Sequence, residues 1–95
     1  MFARISTYQM KPESIAEAEA KVQKLLPTIL GMDGMVTFTN VIDAEGNGVV
    51  VSIVESEAQS DTNAEQVAKI WSEFRDYLLG PPEVSGYRVI AHKSN

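Results

Sequence analysis

The apolar and polar positions along the chain alternate first with the period of a strand and then with the period of a helix. Phe2-Ala3-Arg4-Ile5-Ser6-Thr7-Tyr8 is a β-prone run of period two. It predicts a first strand with Phe2, Arg4, Ser6 and Tyr8 on one face and Ala3, Ile5 and Thr7 on the other. Pro12 then stands where a helix can begin, because its missing N–H is not needed in the first turn. Ile15, Ala18, Val22, Leu25 and Ile29 follow at spacings of three and four, which is one apolar stripe of a helix. Glu17, Lys21 and Lys24 lie opposite, with Glu17 favourably placed four residues before Lys21. Pro27, late in the stripe, predicts a kink or a break into a final turn.

Gly31-Met32-Asp33-Gly34 turns the chain, and Met35 to Ile42 reads as a second strand with Val36, Phe38 and Ile42 sharing a face. Asp43-Ala44-Glu45-Gly46-Asn47-Gly48 is dense in turn residues and predicts a hairpin loop. Val49 to Val54 is a strongly β-branched third strand. A second helix has two candidate starts, Ser56-x-x-Gln59 and Thr62-x-x-Glu65, each of capping-box form. Its stripe is Ala64, Val67, Ala68, Trp71, Phe74 and Leu78, and Gly80-Pro81-Pro82 stops it. Val84 to Lys93 predicts the last strand. The order is β-α-β-β-α-β, the plan of an α+β, ferredoxin-like domain with two helices on one face of an antiparallel sheet.

That plan leaves the other face of the sheet to be explained. A wet face alternates apolar with polar, yet Val49 to Val54 is apolar on both sides except at Ser52, and the second strand is poor in charge. A second copy of the chain is the natural cover, which predicts a homodimer with the two helix-free faces together.

Composition narrows the chemistry. With 95 residues, the chain is expected to form one domain over 1–95. The absence of cysteine removes disulfides, a thiolate nucleophile, iron–sulfur clusters and cysteine-ligated zinc. A single histidine excludes a multi-histidine metal site within one chain. The net charge of −5 argues against nucleic acid as a partner. No apolar run approaches the roughly 20 residues of a membrane span, and no signal-type apolar core follows a basic start. A soluble, cytoplasmic protein is expected.

A few side chains can carry chemistry. His92, the only imidazole, is the natural general base for a phenol or quinol, or else a solvated histidine near the chain end. Asn40 interrupts the apolar face of the second strand; it needs a hydrogen-bond partner, either backbone or a ligand oxygen. Arg4 and Arg88 can orient an anionic oxygen or form ion pairs. Trp71 and Phe74 pack a helix on a sheet and can equally wall an apolar cleft. Tyr8, Tyr77 and Tyr87 read first as sheet and interface residues, and Met10, Met32 and Met35 as gap-fillers able to line a soft pocket. No Ser-His-Asp arrangement, Gly-rich phosphate loop or metal motif is present.

Three segments together resemble the antibiotic biosynthesis monooxygenase-like domain: the opening Phe2 to Tyr8, the Gly31-Met32-Asp33-Gly34-Met35 turn, and Glu55-Ser56-Glu57-Ala58 at the start of the second helix. The resemblance in element order covers the whole chain and implies a dimeric α/β-barrel. It implies either a cofactor-free monooxygenase of small quinol or polyphenol substrates or a non-catalytic dimeric binding or accessory module. In the first case His92 would remove the substrate proton, Asn40 and Arg4 would orient the substrate, and Trp71 and Phe74 would form walls. The haem-degrading type pairs a strand-one Asn with a Trp and a His about ten residues later. Here Trp71 is followed at that distance by Pro81, and strand one has no Asn, so haem degradation is disfavoured. Val54 stands where many small relatives carry a Trp before the Glu-Ser pair.

Overall fold

The computed structural model describes all 95 residues. Four strands, β1 (Phe2–Gln9), β2 (Met35–Ile42), β3 (Asn47–Val54) and β4 (Glu83–Arg88), form one sheet in the order β2-β3-β1-β4. Every pairing is antiparallel. Two helices, α1 (Ile15–Leu30) and α2 (Glu57–Ser72), complete the predicted β-α-β-β-α-β order of an α+β ferredoxin-like fold.

Register decides which residues meet the helices. Opposite Arg4, Ser6 and Tyr8 on β1 stand Ser52, Val50 and Gly48 on β3, and these in turn face Phe38, Asn40 and Ile42 on β2. Alternation places this set on the helix side, with Arg4, Ser6 and Tyr8 sharing a face as the first strand predicts. The core there is Tyr8, Met10, Ala18, Val50 and Phe74, with Val22, Leu25, Phe38, Ile70 and Trp71 packed around it. Val36 departs from its expected face. A bulge between Met35 and Thr37 breaks the alternation, so Met35 turns inward and Val36 stays exposed.

Helix boundaries follow the capping chemistry. Of the two candidate starts, Ser56 is the one used: its hydroxyl accepts from the Gln59 N–H at 3.3 Å and donates to Gln59 Oε1 at 3.1 Å. Helix α1 runs through Pro27 to Leu30 rather than breaking there. The Gly31 N–H still reaches the Pro27 carbonyl at 3.0 Å, so the turn after the proline is closed. Helix α2 ends at Ser72, earlier than its apolar stripe suggests. Phe74 and Leu78 instead flank a 3₁₀ turn, Arg75–Tyr77, which still delivers Phe74 to the core and pairs Leu78 with Met10.

The last strand stops at Arg88, short of the expected Lys93. It pairs only with β1, and the last backbone bond between them runs from the Val89 N–H to the Met1 carbonyl at 3.2 Å. His92 is therefore an exposed residue of an irregular segment, not a strand residue.

The helix-free face carries Ala3, Ile5 and Thr7 of β1, Val49, Val51 and Ile53 of β3, Thr37, Thr39 and Val41 of β2, and Glu83, Ser85 and Tyr87 of β4. No element of the chain covers it, and Val41 and Tyr87 keep 56% and 53% of their surface exposed. Its only charge is Glu83, on the outermost strand. No helix is long and apolar enough to cross a membrane.

Candidate functional site

A cavity of about 290 Å³ lies between the sheet and the two helices, and 17 of its 23 lining residues are hydrophobic. The strands contribute Arg4, Ser6, Tyr8, Phe38, Asn40, Val50 and Ser52. From α2 come Ser60, Asn63, Val67 and Trp71; Phe74 follows just beyond its end. Met10, Met32 and Met35 all line it, the softer of the two uses open to them. A volume near the lower bound for ligand sites, with few polar groups in an apolar wall, is the usual form of a small-molecule pocket.

One polar feature of the cavity is a pair. The Tyr8 hydroxyl donates to Asn40 Oδ1 at 2.6 Å, although β3 separates their strands. The reach is possible because Tyr8 lies opposite Gly48, whose missing side chain leaves room for the ring. Trp71 meets the edge of the Tyr8 ring with centroids 5.7 Å apart at 60°. The Asn40 amide nitrogen has no partner in the chain, so it remains available to an oxygen in the cavity.

Burial pushes the Tyr8 phenol above its ordinary value of 10.0, opposed in part by the Asn40 amide, which can turn its NH₂ toward a phenolate. Because the folded value is raised, the unfolded chain loses its proton first as pH rises. The stabilisation is complete below pH 10 and is lost as pH climbs from there toward the folded value. Denaturant unfolding between pH 9 and 12 is expected to show this decline, and Tyr8→Phe is expected to flatten it.

A second polar group stands at the other end of the same β1 face. The Arg4 Nε–H donates to Ser60 Oγ at 2.6 Å, and Nη2 lies 3.3 Å from Asp61 Oδ1, the one ion pair in the fold. Nearby, Asn63 is buried and donates to the Asp33 carbonyl at 2.8 Å, fastening α2 to the turn before β2.

The structure thus gathers Arg4, Asn40, Trp71 and Phe74 around one cavity. His92 is not among its lining residues, and Arg88, fully on the surface, is not either. Tyr8 is the residue that sequence reasoning undervalued. The signal was Gly48 opposite it, since a glycine in a strand marks close approach by another group. No cluster of three or more His, Cys, Asp or Glu side chains exists that could hold a metal ion.

This architecture is the fold of solved antibiotic biosynthesis monooxygenase structures. Among similar solved structures, a monooxygenase from the gene ActVA-Orf6 of Streptomyces coelicolor, in complex with nanaomycin D, is 18% identical with a TM-score of 0.77, over 99% of this chain and 91% of its own. An antibiotic biosynthesis monooxygenase is 15% identical with a TM-score of 0.78, over 96% and 100% of the two chains. NE2512 of Nitrosomonas europaea, a protein of unknown function, is 17% identical with a TM-score of 0.83, over 99% and 93%. No protein-family model matches the chain. No curated protein matches it in sequence.

Proposed function

We propose that this protein binds a small aromatic phenol or quinol in its cavity and serves as a cofactor-independent monooxygenase of that substrate. The observation that carries the reading is the Tyr8–Asn40 pair, a hydrogen-bonding patch set into an apolar wall with Trp71 beside it. A flat ring gains from burial against Trp71 and Phe74, while its oxygen takes the free Asn40 amide hydrogens. The neighbouring monooxygenase of the same fold, in complex with nanaomycin D, supports a small-molecule role for the cavity.

The chemistry asks little of the protein. A phenol with a C–H para to its oxygen reacts with dioxygen to give a quinone and water. One oxygen atom enters the ring carbon and the other leaves in water, the substrate supplying all four electrons. Loss of the phenolic proton makes the ring electron-rich, and hydrogen bonds from Asn40 stabilise the anion where the charge develops. The proton passes to solvent. Oxygen uptake with a panel of quinols and polyphenols is expected to exceed the uncatalysed rate and to fall about tenfold in Asn40→Leu.

One observation favours the second reading, a non-catalytic binding module. The cavity lining holds no His, Asp, Glu or Lys side chain to serve as a base. Saturable binding without oxygen uptake across the panel would establish that reading, and no binding at all would end both.

The assembly in this proposal is a homodimer through the helix-free face. That face is largely apolar, with Glu83 its one charge, so two copies meet there with little like-charge repulsion despite a net charge of −5 each. Val51 stands on it in a central strand. Light scattering at micromolar concentration is expected to give twice the 10.4 kDa chain mass, and Val51→Lys to give the single chain. A wild-type mass of one chain would remove the dimer from the account.

A further inference from the structure

Around Arg4 the cavity has the chemistry of a carboxylate receptor. Arg4 and Tyr8 share the helix-side face of β1 four residues apart, which places their backbones about 13 Å from each other. Between them on that face stands Ser6, and the walls around it are the apolar Val50, Phe38, Trp71 and Phe74. We infer that the cavity takes an elongated aromatic acid, two or more fused rings with a phenolic oxygen on Asn40 and a carboxylate on the Arg4 guanidinium. This rests on the aromatic-ligand reading above and specifies its substrate class.

Three features of Arg4 support this. Its plane is held, because Nε is committed to Ser60 Oγ at 2.6 Å. Its remaining N–H groups are incompletely used, since only Nη2 has a partner. That partner, Asp61, lies at 3.3 Å with 68% of its side chain exposed, longer than the roughly 2.7–2.9 Å of a strong charge-assisted bond. A solvent-side carboxylate in a loose contact is a weak competitor, and a ligand carboxylate arriving from the cavity side meets a forked donor already oriented. Arg4 itself is only 35% exposed, so the exchange takes place in a partly desolvated setting where charge pairing counts for more.

The rival account makes Arg4 a strut that ties β1 to α2 and nothing more. Calorimetric titration of the full chain with 6-hydroxy-2-naphthoic acid and with its methyl ester separates the two, because only the acid carries the anion. The acid is expected to bind at least tenfold more tightly than the ester. Arg4→Gln is expected to erase that ratio, and Asp61→Asn, by removing the competitor, to raise it about threefold. A strut predicts instead that both variants weaken both probes in parallel, leaving the ratio unchanged, and that result would overturn the inference. If Arg4→Gln fails to fold, lowering the pH of the wild-type titration below the probe's own carboxyl pKa serves the same purpose, and the acid must lose its advantage there. Equal binding of acid and ester to the wild type would defeat the carboxylate end while leaving the aromatic-ligand reading intact. Failure of both probes to bind would remove both.

Discussion

Replacing Phe74 with alanine is expected to lower the free energy of unfolding by about 3–5 kcal/mol. The ring is 6% exposed and sits in the cluster formed with Tyr8, Met10, Ala18 and Val50. Its edge meets Tyr77 with centroids 6.0 Å apart, and Lys21 Nζ lies 5.5 Å above its face. Phe74 also follows the end of α2 directly, its N–H bonded to the Trp71 carbonyl at 3.0 Å. Little around it can collapse into the gap, because the neighbouring space is already the cavity. The loss is a large part of the roughly 5–15 kcal/mol available to a domain of this size. Urea unfolding would show it as a lower midpoint at unchanged slope. A shift under about 1 kcal/mol would mean that Phe74 is not a core residue.

The second large effect begins at Gly48. A Cβ built there falls 2.1 Å from Tyr8 Cζ and 2.4 Å from its hydroxyl, closer than atoms can approach. Both residues lie in central strands, so the tyrosine ring rather than the backbone must give way. Once displaced, the ring loses the 2.6 Å bond to Asn40 and its edge contact with Trp71. Gly48→Ala is expected to weaken binding of phenolic ligands about tenfold or more and to cost about 1–3 kcal/mol of stability from overpacking. Because the clash is with one ring, Tyr8→Ala together with Gly48→Ala should show strong coupling, with most of the alanine penalty relieved in the double variant. Additive penalties would place the strain elsewhere.

Much of this fold is legible in local pattern, and the departures have physical reasons. Strand β2 runs from Met35 to Ile42 as its composition suggests. Its bulge is invisible in that composition, because the break in pairing depends on where β3 ends beside it. The stripe through Phe74 and Leu78 keeps helical spacing past Ser72, since a 3₁₀ turn can present side chains to the same side as a helix. Val89 to Lys93 has strand-like residues, yet the pairing with β1 ends at Arg88. Strand formation is a property of two segments, which the composition of one does not show.

The site was half legible for the same kind of reason. Arg4, Asn40, Trp71 and Phe74 announce themselves by being polar on an apolar face or aromatic on a stripe, and all four line the cavity. His92 was attractive through its imidazole alone, and the early end of β4 leaves it exposed and outside that lining. Tyr8 matters through a partner two strands away, a relation set by the strand order β2-β3-β1 and by the glycine between them.

Trp71 is the only tryptophan and lines the cavity beside Tyr8, so its fluorescence reports on that site, and the Asn40 variant ties the signal to it. Titration with 2-hydroxy-1,4-naphthoquinone, a flat hydroxylated ring system, is the most direct test of the central claim that the cavity binds such molecules against the Tyr8–Asn40 pair. The account predicts saturable quenching at micromolar ligand, with affinity reduced about tenfold in Asn40→Leu. Quenching that rises linearly without saturation, and identically in the variant, would contradict it.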